Sequence, residues 1–431
     1  MNLSAHILKI AKAAKKASYA LALASTAQKN SALRAMAHAL VNNQDYLIKE
    51  NAKDLKAAKT QGYSKALVDR LTLNPQQIKA MADSLLETAK LKDPVGETLQ
   101  TIKRPNGLLI KKICVPLGVV GIIYESRPNV TSDCAGLCLK SGNAAILKGG
   151  REAIHSNKAI FQILKGQLKK TKIPLEALQL IESTDRTAVR ELLQLQGFID
   201  LIVPRGGEGL IRFVSDHSRI PIVKHDKGIC HVYVSNQADL NMARRITMNA
   251  KVQKPAVCNA METLLVDKAV ARKFLPSIIA DLQNAGCEIR GDQKTRAIVN
   301  NPGRGTACRA RTGVIKRATE KDWRTEYLDL ILSVKVVDGL QEAVDHINTY
   351  GSHHSDSIVT KDKSQARRFL DAVDSACVYV NASTRFTDGY EFGFGSEVGI
   401  STDKLHVRGP MALEGLTSYK YEVYGQGQIR Q

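Results

Sequence analysis

The sequence predicts an α/β protein of two successive domains, each built on a parallel sheet with helices on both faces. Three observations carry this. From Val119 onward, short apolar runs alternate with amphipathic segments up to a boundary near residue 235. A second alternating series runs from 238 to 380. The 431 residues, 44% hydrophobic and 24% charged, are enough for two or three sizeable cores. Apolar strands that alternate with helices are the mark of βαβ units, whose sheets bind ligands at the carboxyl ends of their strands.

Residues 1–92 read as helices. Leu33, Met36, Ala37, Leu40 and Val41 keep the 3–4 spacing of a buried stripe, and Gly62 ends the next helix. A strand at 108–115 follows a Pro-Asn-Gly turn at 105–107. The first series then gives a strand at 119–124, a helix at 131–141, a strand at 144–147, a helix at 152–169 and a strand at 177–181. It closes with a helix at 186–195, a strand at 198–203 and a helix from Gly207. The second gives helices at 238–251, 268–285, 340–348 and 363–373, and strands at 261–266, 331–337, 357–360 and 376–380. The tail from 411 is expected to form a late strand.

Composition narrows the function. No run of about 18 apolar residues is present, so no membrane-spanning helix is expected. Lys9, Lys12, Lys15 and Lys16 break up any signal-peptide core, which leaves an Ala-rich amphipathic first helix. The eight cysteines show no C-x-x-C pair and no metal-ligand spacing. They read as reduced thiols of a cytoplasmic chain, with Cys134 and Cys138 as core residues. A net charge of +20 raises nucleic-acid binding. The 62 basic residues are scattered, however, and aromatics are 5%, too few for base-stacking platforms. No nucleic-acid partner is expected; anionic small molecules fit the charge as well.

The most informative stretch is KVQKPAVCNAMETLLV, 251–266. Cys258 lies in a polar loop between a helix and a strand, rigidly held yet reachable, and Lys251 and Lys254 would favour its thiolate. This segment resembles the active-site segment of γ-glutamyl phosphate reductases, members of the aldehyde dehydrogenase superfamily. The blocks at 115–150, 202–211, 228–234 and 373–416 are similar to the same family in the same order.

The resemblance implies an aldehyde dehydrogenase-like fold of two Rossmann-like domains with a small β oligomerisation element. Its domains would be 1–96 and 117–234 for NADPH, 235–410 for catalysis, and 97–116 with 411–431 for oligomerisation. It implies that Cys258 is the nucleophile and that the Asn129 amide joins an oxyanion hole. Lys148 would bind the cofactor's adenosine ribose, and Glu326 the nicotinamide ribose, although EYLDL departs from the superfamily's E-I-F-G-P. Gly206 and Gly207 would let the backbone approach the pyrophosphate at a helix N-terminus. Arg151 stands where NAD-dependent relatives carry Glu, and with Lys148 it would attract a 2′-phosphate, which argues for NADPH/NADP+. Arg385 and Arg127 are the basic candidates for the glutamyl head.

The implied reaction is reduction of γ-glutamyl phosphate to glutamate 5-semialdehyde through a Cys258 thioester, a step of proline biosynthesis. The alternative is a hydrolytic aldehyde dehydrogenase acting on a small anionic aldehyde. Such enzymes carry a Glu-Leu-Gly-Gly base, whereas 224–228 here reads Lys224-His225-Asp226-Lys227-Gly228. The matching segments begin near residue 94, which leaves no room for the kinase domain of bifunctional relatives. The kinase is therefore expected as a separate glutamate kinase coupled to a homo-oligomeric, metal-free, cytoplasmic reductase.

Overall fold

The computed structural model describes residues 2–224, 227–300 and 313–430; His225, Asp226 and Cys308 lie outside them. The chain divides into two compact units. One comprises Met1–Lys224, Gly393–Ile400 and Leu405–Gln431, the other His225–Phe392 and Ser401–Lys404.

The first unit opens with five helices: α1 (Leu3–Leu21), α2 (Thr26–Asn42), α3 (Gln44–Thr60), α4 (Lys65–Leu71) and α5 (Pro75–Lys90). On α1, Ile7, Ile10, Ala11, Ala14, Ala17 and Leu21 form the buried stripe, and the lysines between them face outward or sideways. Capping boxes start α2 (Ser25 with Gln28) and α5 (Asn74 with Gln77, Pro75 opening the helix). Leu33, Met36, Ala37 and Leu40 are buried as expected, but Val41 is 47% exposed, because the stripe has rotated off the core by then.

Next come β1 (Thr98–Lys103), β2 (Leu109–Pro116), β3 (Val119–Tyr124), α6 (Asn129–Lys140), β4 (Ala144–Gly149) and α7 (Ile154–Leu168). They are followed by β5 (Leu178–Leu180), α8 (Thr187–Leu193), β6 (Leu201–Arg205) and α9 (Glu208–His217). β5-β4-β3-β6 form a parallel sheet in that order. β6 begins at 201 rather than 198. Asp200 stops it earlier: its carboxylate takes the Val119 N–H and Lys15 Nζ, each at 2.8 Å. Cys134 and Cys138 lie in the core of this unit, as expected.

The second unit holds β7 (Cys230–Val234), α10 (Leu240–Val252), β8 (Met261–Asp267), α11 (Lys268–Asn284), β9 (Glu288–Gly291) and α12 (Gln293–Asn300). Then come β10 (Lys316–Arg317), α13 (Glu320–Trp323), β11 (Ile331–Val337), α14 (Leu340–Tyr350), β12 (Ser355–Val359), α15 (Lys363–Ala372) and β13 (Cys377–Val380). Its strands form one seven-stranded sheet, β10-β9-β11-β8-β7-β12-β13, parallel throughout.

This corrects the expected boundary. The strand at 230–234 was assigned to the first domain, yet β7 pairs with β8 and β12 inside the second sheet. The crossing falls after Lys224 instead of near 235, and the chain returns to the first unit from Gly393. The short strands β14 (Gly399–Ser401) and β15 (Gly409–Met411) precede β16 (Thr417–Tyr424). β16 pairs antiparallel with β2, which also pairs with β1, so 97–116 and the tail share one three-stranded sheet.

Candidate active site

In the first unit the expected residues gather at the carboxyl edge of the parallel sheet. Arg127 and Asn129 follow β3, Lys148 and Arg151 sit at the end of β4, and Gly206-Gly207 follow β6. Lys148 is buried and its Nζ donates to the Gly149 carbonyl at 2.8 Å; burial lowers its pKa, which Glu152 partly offsets. Arg151 is exposed at the start of a short 3-10 turn. Gly207 is the N-cap of α9, and its N–H donates to the Glu125 carboxylate at 2.9 Å. A Cβ on Gly206 would fall 2.3 Å from that carboxylate, so any larger residue there would push the Glu125 side chain aside. This turn thus already receives an anionic oxygen, as a pyrophosphate site must.

Asn129 is the first residue of α6, exposed, and its side-chain amide donates to Asp133 at 2.9 Å. Asp133 is also bonded by Ser84, and burial raises its pKa against both contacts. Two carboxylates were missed in reading the sequence. Glu125 holds Gly207, and Glu152 accepts from the Ser126 N–H (2.6 Å) and Oγ (3.0 Å). Glu152 stands next to Arg151 and Glu125 two residues before Arg127, and that closeness in sequence was the available signal.

In the second unit Cys258 lies on a turn between α10 and β8. It is half-buried, whereas the other described cysteines are all buried, and none of the described cysteines forms a disulfide. Burial pushes the thiols of Cys134 and Cys287 up to about 12, and those of Cys138 and Cys230 well above their usual value. Such thiols form no thiolate at neutral pH.

The turn is clamped on both sides. The Cys258 carbonyl accepts from the Cys230 thiol at 3.2 Å, and Gly228 packs so closely that a Cβ there would lie 1.9 Å from the same oxygen. Next door, the Asn259 amide donates to the carbonyls of Arg385 (3.3 Å) and Thr387 (2.9 Å), and the Thr384 hydroxyl donates to the Asn259 carbonyl (2.8 Å).

Arg385 opens from this same loop. Its Nε donates to the Gln253 side chain at 2.9 Å; burial lowers the guanidinium pKa while the nearby Cys258 opposes the shift. Glu326 accepts the Gly228 N–H at 2.9 Å, so Cys258, Glu326 and Arg385 do come together. Lys251, expected to favour the thiolate, has a carboxylate partner of its own. It is fully buried and bonded to Glu262 at 2.5 Å, so its charge is spent inside the fold. Burial raises the Glu262 carboxyl despite that partner.

Among the described residues no cluster suited to a metal ion occurs, and no helix is long and apolar enough to cross a membrane.

Comparison with known proteins follows the same line. The model of the aldehyde dehydrogenase family matches residues 3–304. A γ-glutamyl phosphate reductase of Nautilia profundicola is 54% identical over 403 residues, 94% of this chain and 95% of its own. That of Geobacter metallireducens is 53% identical over the full length of both. The crystal structure of γ-glutamyl phosphate reductase from Thermotoga maritima superposes with a TM-score of 0.94 at 44% identity, covering 99% of this chain and 100% of that one.

Proposed function

The chain belongs to the aldehyde dehydrogenase family and, within it, to the γ-glutamyl phosphate reductases, which are oxidoreductases; on that premise we propose that it reduces γ-glutamyl phosphate to glutamate 5-semialdehyde with NADPH. The observation that carries the chemistry is Cys258: alone among the described cysteines it is not buried, and it sits on a turn fixed from both sides.

The Cys258 thiolate attacks the acyl carbon, the C–O bond to phosphate breaks, and a thioester remains. The Cys258 backbone N–H would hold the developing oxyanion, joined by the Asn129 amide if it serves the role its family match implies. NADPH, when bound, supplies the hydride that brings the thioester to the aldehyde oxidation level. The thiohemiacetal oxygen then expels the Cys258 thiolate and releases the semialdehyde. Lys148 and Gly206-Gly207 would hold the cofactor's ribose and pyrophosphate, and Glu326 its second ribose. Arg151, exposed beside a Glu152 committed to Ser126, is the candidate for the 2′-phosphate. Arg385, next to Cys258, and Arg127 would take the glutamyl carboxylate.

That product would serve proline biosynthesis, with the acyl phosphate supplied by a glutamate kinase, and a cytoplasmic homo-oligomer is part of the same proposal. The sheet β1-β2-β16 supports the last point: its edge strand exposes Tyr419, Tyr421 and Val423, each at least half.

The test runs the reaction backwards. With semialdehyde and NADP+, NADPH should form in proportion to added phosphate or arsenate and fall close to zero without either. Steady oxidation in phosphate-free buffer, giving glutamate, would assign the chain to the hydrolytic class instead.

A further inference from the structure

Glu262 interrupts the apolar run METLLV on the central strand β8, an unusual place for a carboxylate. Its two oxygens face different elements. Oε2 binds Lys251 on α10 at 2.5 Å, and Oε1 accepts the backbone N–H of Leu328 at 3.2 Å. Both side chains of the pair are buried.

Leu328 stands at φ 53, a left-handed conformation that a branched L residue adopts only when its surroundings enforce it. It closes the loop between α13 and β11, and two residues before it in that loop is Glu326. Glu326 bonds the Gly228 N–H, and Gly228 lies against the Cys258 carbonyl. A continuous set of contacts therefore runs from the buried pair to the loop of Glu326 and on to the Cys258 turn.

We propose that Glu262, its charge balanced by Lys251, is a positioning residue: it fixes the loop 324–330 in the one conformation that presents Glu326 to the cofactor. The inference rests on the reading of Glu326 as a ribose-binding residue. Lys251 is the necessary companion, since a carboxylate alone at this depth would not keep its charge.

The test compares two double variants, because removing one partner alone would strand a buried charge and unfold the sheet. In Lys251→Met/Glu262→Gln the pair is neutral and the amide oxygen still accepts from Leu328; in Lys251→Met/Glu262→Leu no acceptor remains. Amide hydrogen exchange at 324–330 and NADPH affinity, followed by its fluorescence, are measured together. The Leu variant should exchange faster and bind NADPH more weakly, each by roughly 3–10-fold, the range expected for one hydrogen bond. The Gln variant should recover most of both at the same melting temperature. Equal exchange in the two variants overturns the inference. Faster exchange in the Leu variant with unchanged NADPH affinity removes Glu326 from the cofactor site, which fails the underlying reading and leaves the loop contact standing.

Discussion

Cys258 is held at its backbone and only half-buried, and that setting makes sharp predictions at the residue scale. Cys258→Ser should abolish turnover while NADPH affinity and melting temperature stay near those of the parent, since an unassisted hydroxyl is a far weaker nucleophile at neutral pH. Wild-type turnover in that variant would end the mechanism. Gly228→Ala must displace the Cys258 peptide, because the obstacle 1.9 Å away is backbone and cannot rotate aside. It should destabilise the fold by about 1–3 kcal/mol and lower kcat in the surviving folded fraction, read from calorimetry and initial rates. Asn129→Ala should lower kcat by roughly 10²–10³ if its amide serves the oxyanion. A residue that serves only Asp133 would instead lower the melting temperature and spare kcat. Cys258 was legible because its loop setting is written in neighbouring residues. The fate of Lys251 was not: its partner Glu262 lies eleven positions on, and nothing in the sequence says that the two side chains turn inward to each other.

Elements follow the same rule, with local signals read well and pairing read badly. Apolar stripes placed the N-terminal helices, and buried strands such as β8 and β11 stood out as apolar runs. β7 looks like any other buried strand, so its sheet could be known only from its partners, and the domain boundary slipped by ten residues. β9 and α12 went unread because each is short and half polar. One element carries a pH prediction. His346 on α14 is buried against His231, Trp323 and Tyr350, with Lys335 Nζ 3.4 Å from its Nδ1. Burial lowers its pKa to about 2, with His231 and Lys335 adding to the shift. The folded state therefore binds this proton less readily than the unfolded chain. Stability from the neutral ring is complete above about pH 6.5 and declines as pH falls toward 2, by up to roughly 1.4 kcal/mol per unit. Thermal melts from pH 7.5 to about 5.5 should show a shallower loss in His346→Gln than in the parent. Parallel slopes would show that another group governs the acid limb.

For the whole molecule, the +20 charge is the feature that fold and mechanism leave over. Both proposed ligands, an acyl phosphate and NADPH, are anions, and a cationic surface speeds the encounter of anions with a site. Arg385 beside Cys258 extends the positive field to the proposed nucleophile. The consequence can be separated from chemistry with two alkylating agents of similar reactivity and different charge. Iodoacetate, an anion, should modify Cys258 faster relative to neutral iodoacetamide at low salt than at high. Raising ionic strength from about 0.01 M to about 0.1 M shortens the screening length from roughly 30 Å to roughly 10 Å. The rate ratio should therefore fall several-fold, and kcat/KM for NADPH should fall with it while kcat changes little. Arg385→Gln should lower the ratio at every salt concentration but keep most of its slope, because the slope belongs to the distributed charge and the offset to the local one. If the two reagents respond to salt identically, the charge does not steer ligands to Cys258, and its role must be sought on another face of the protein.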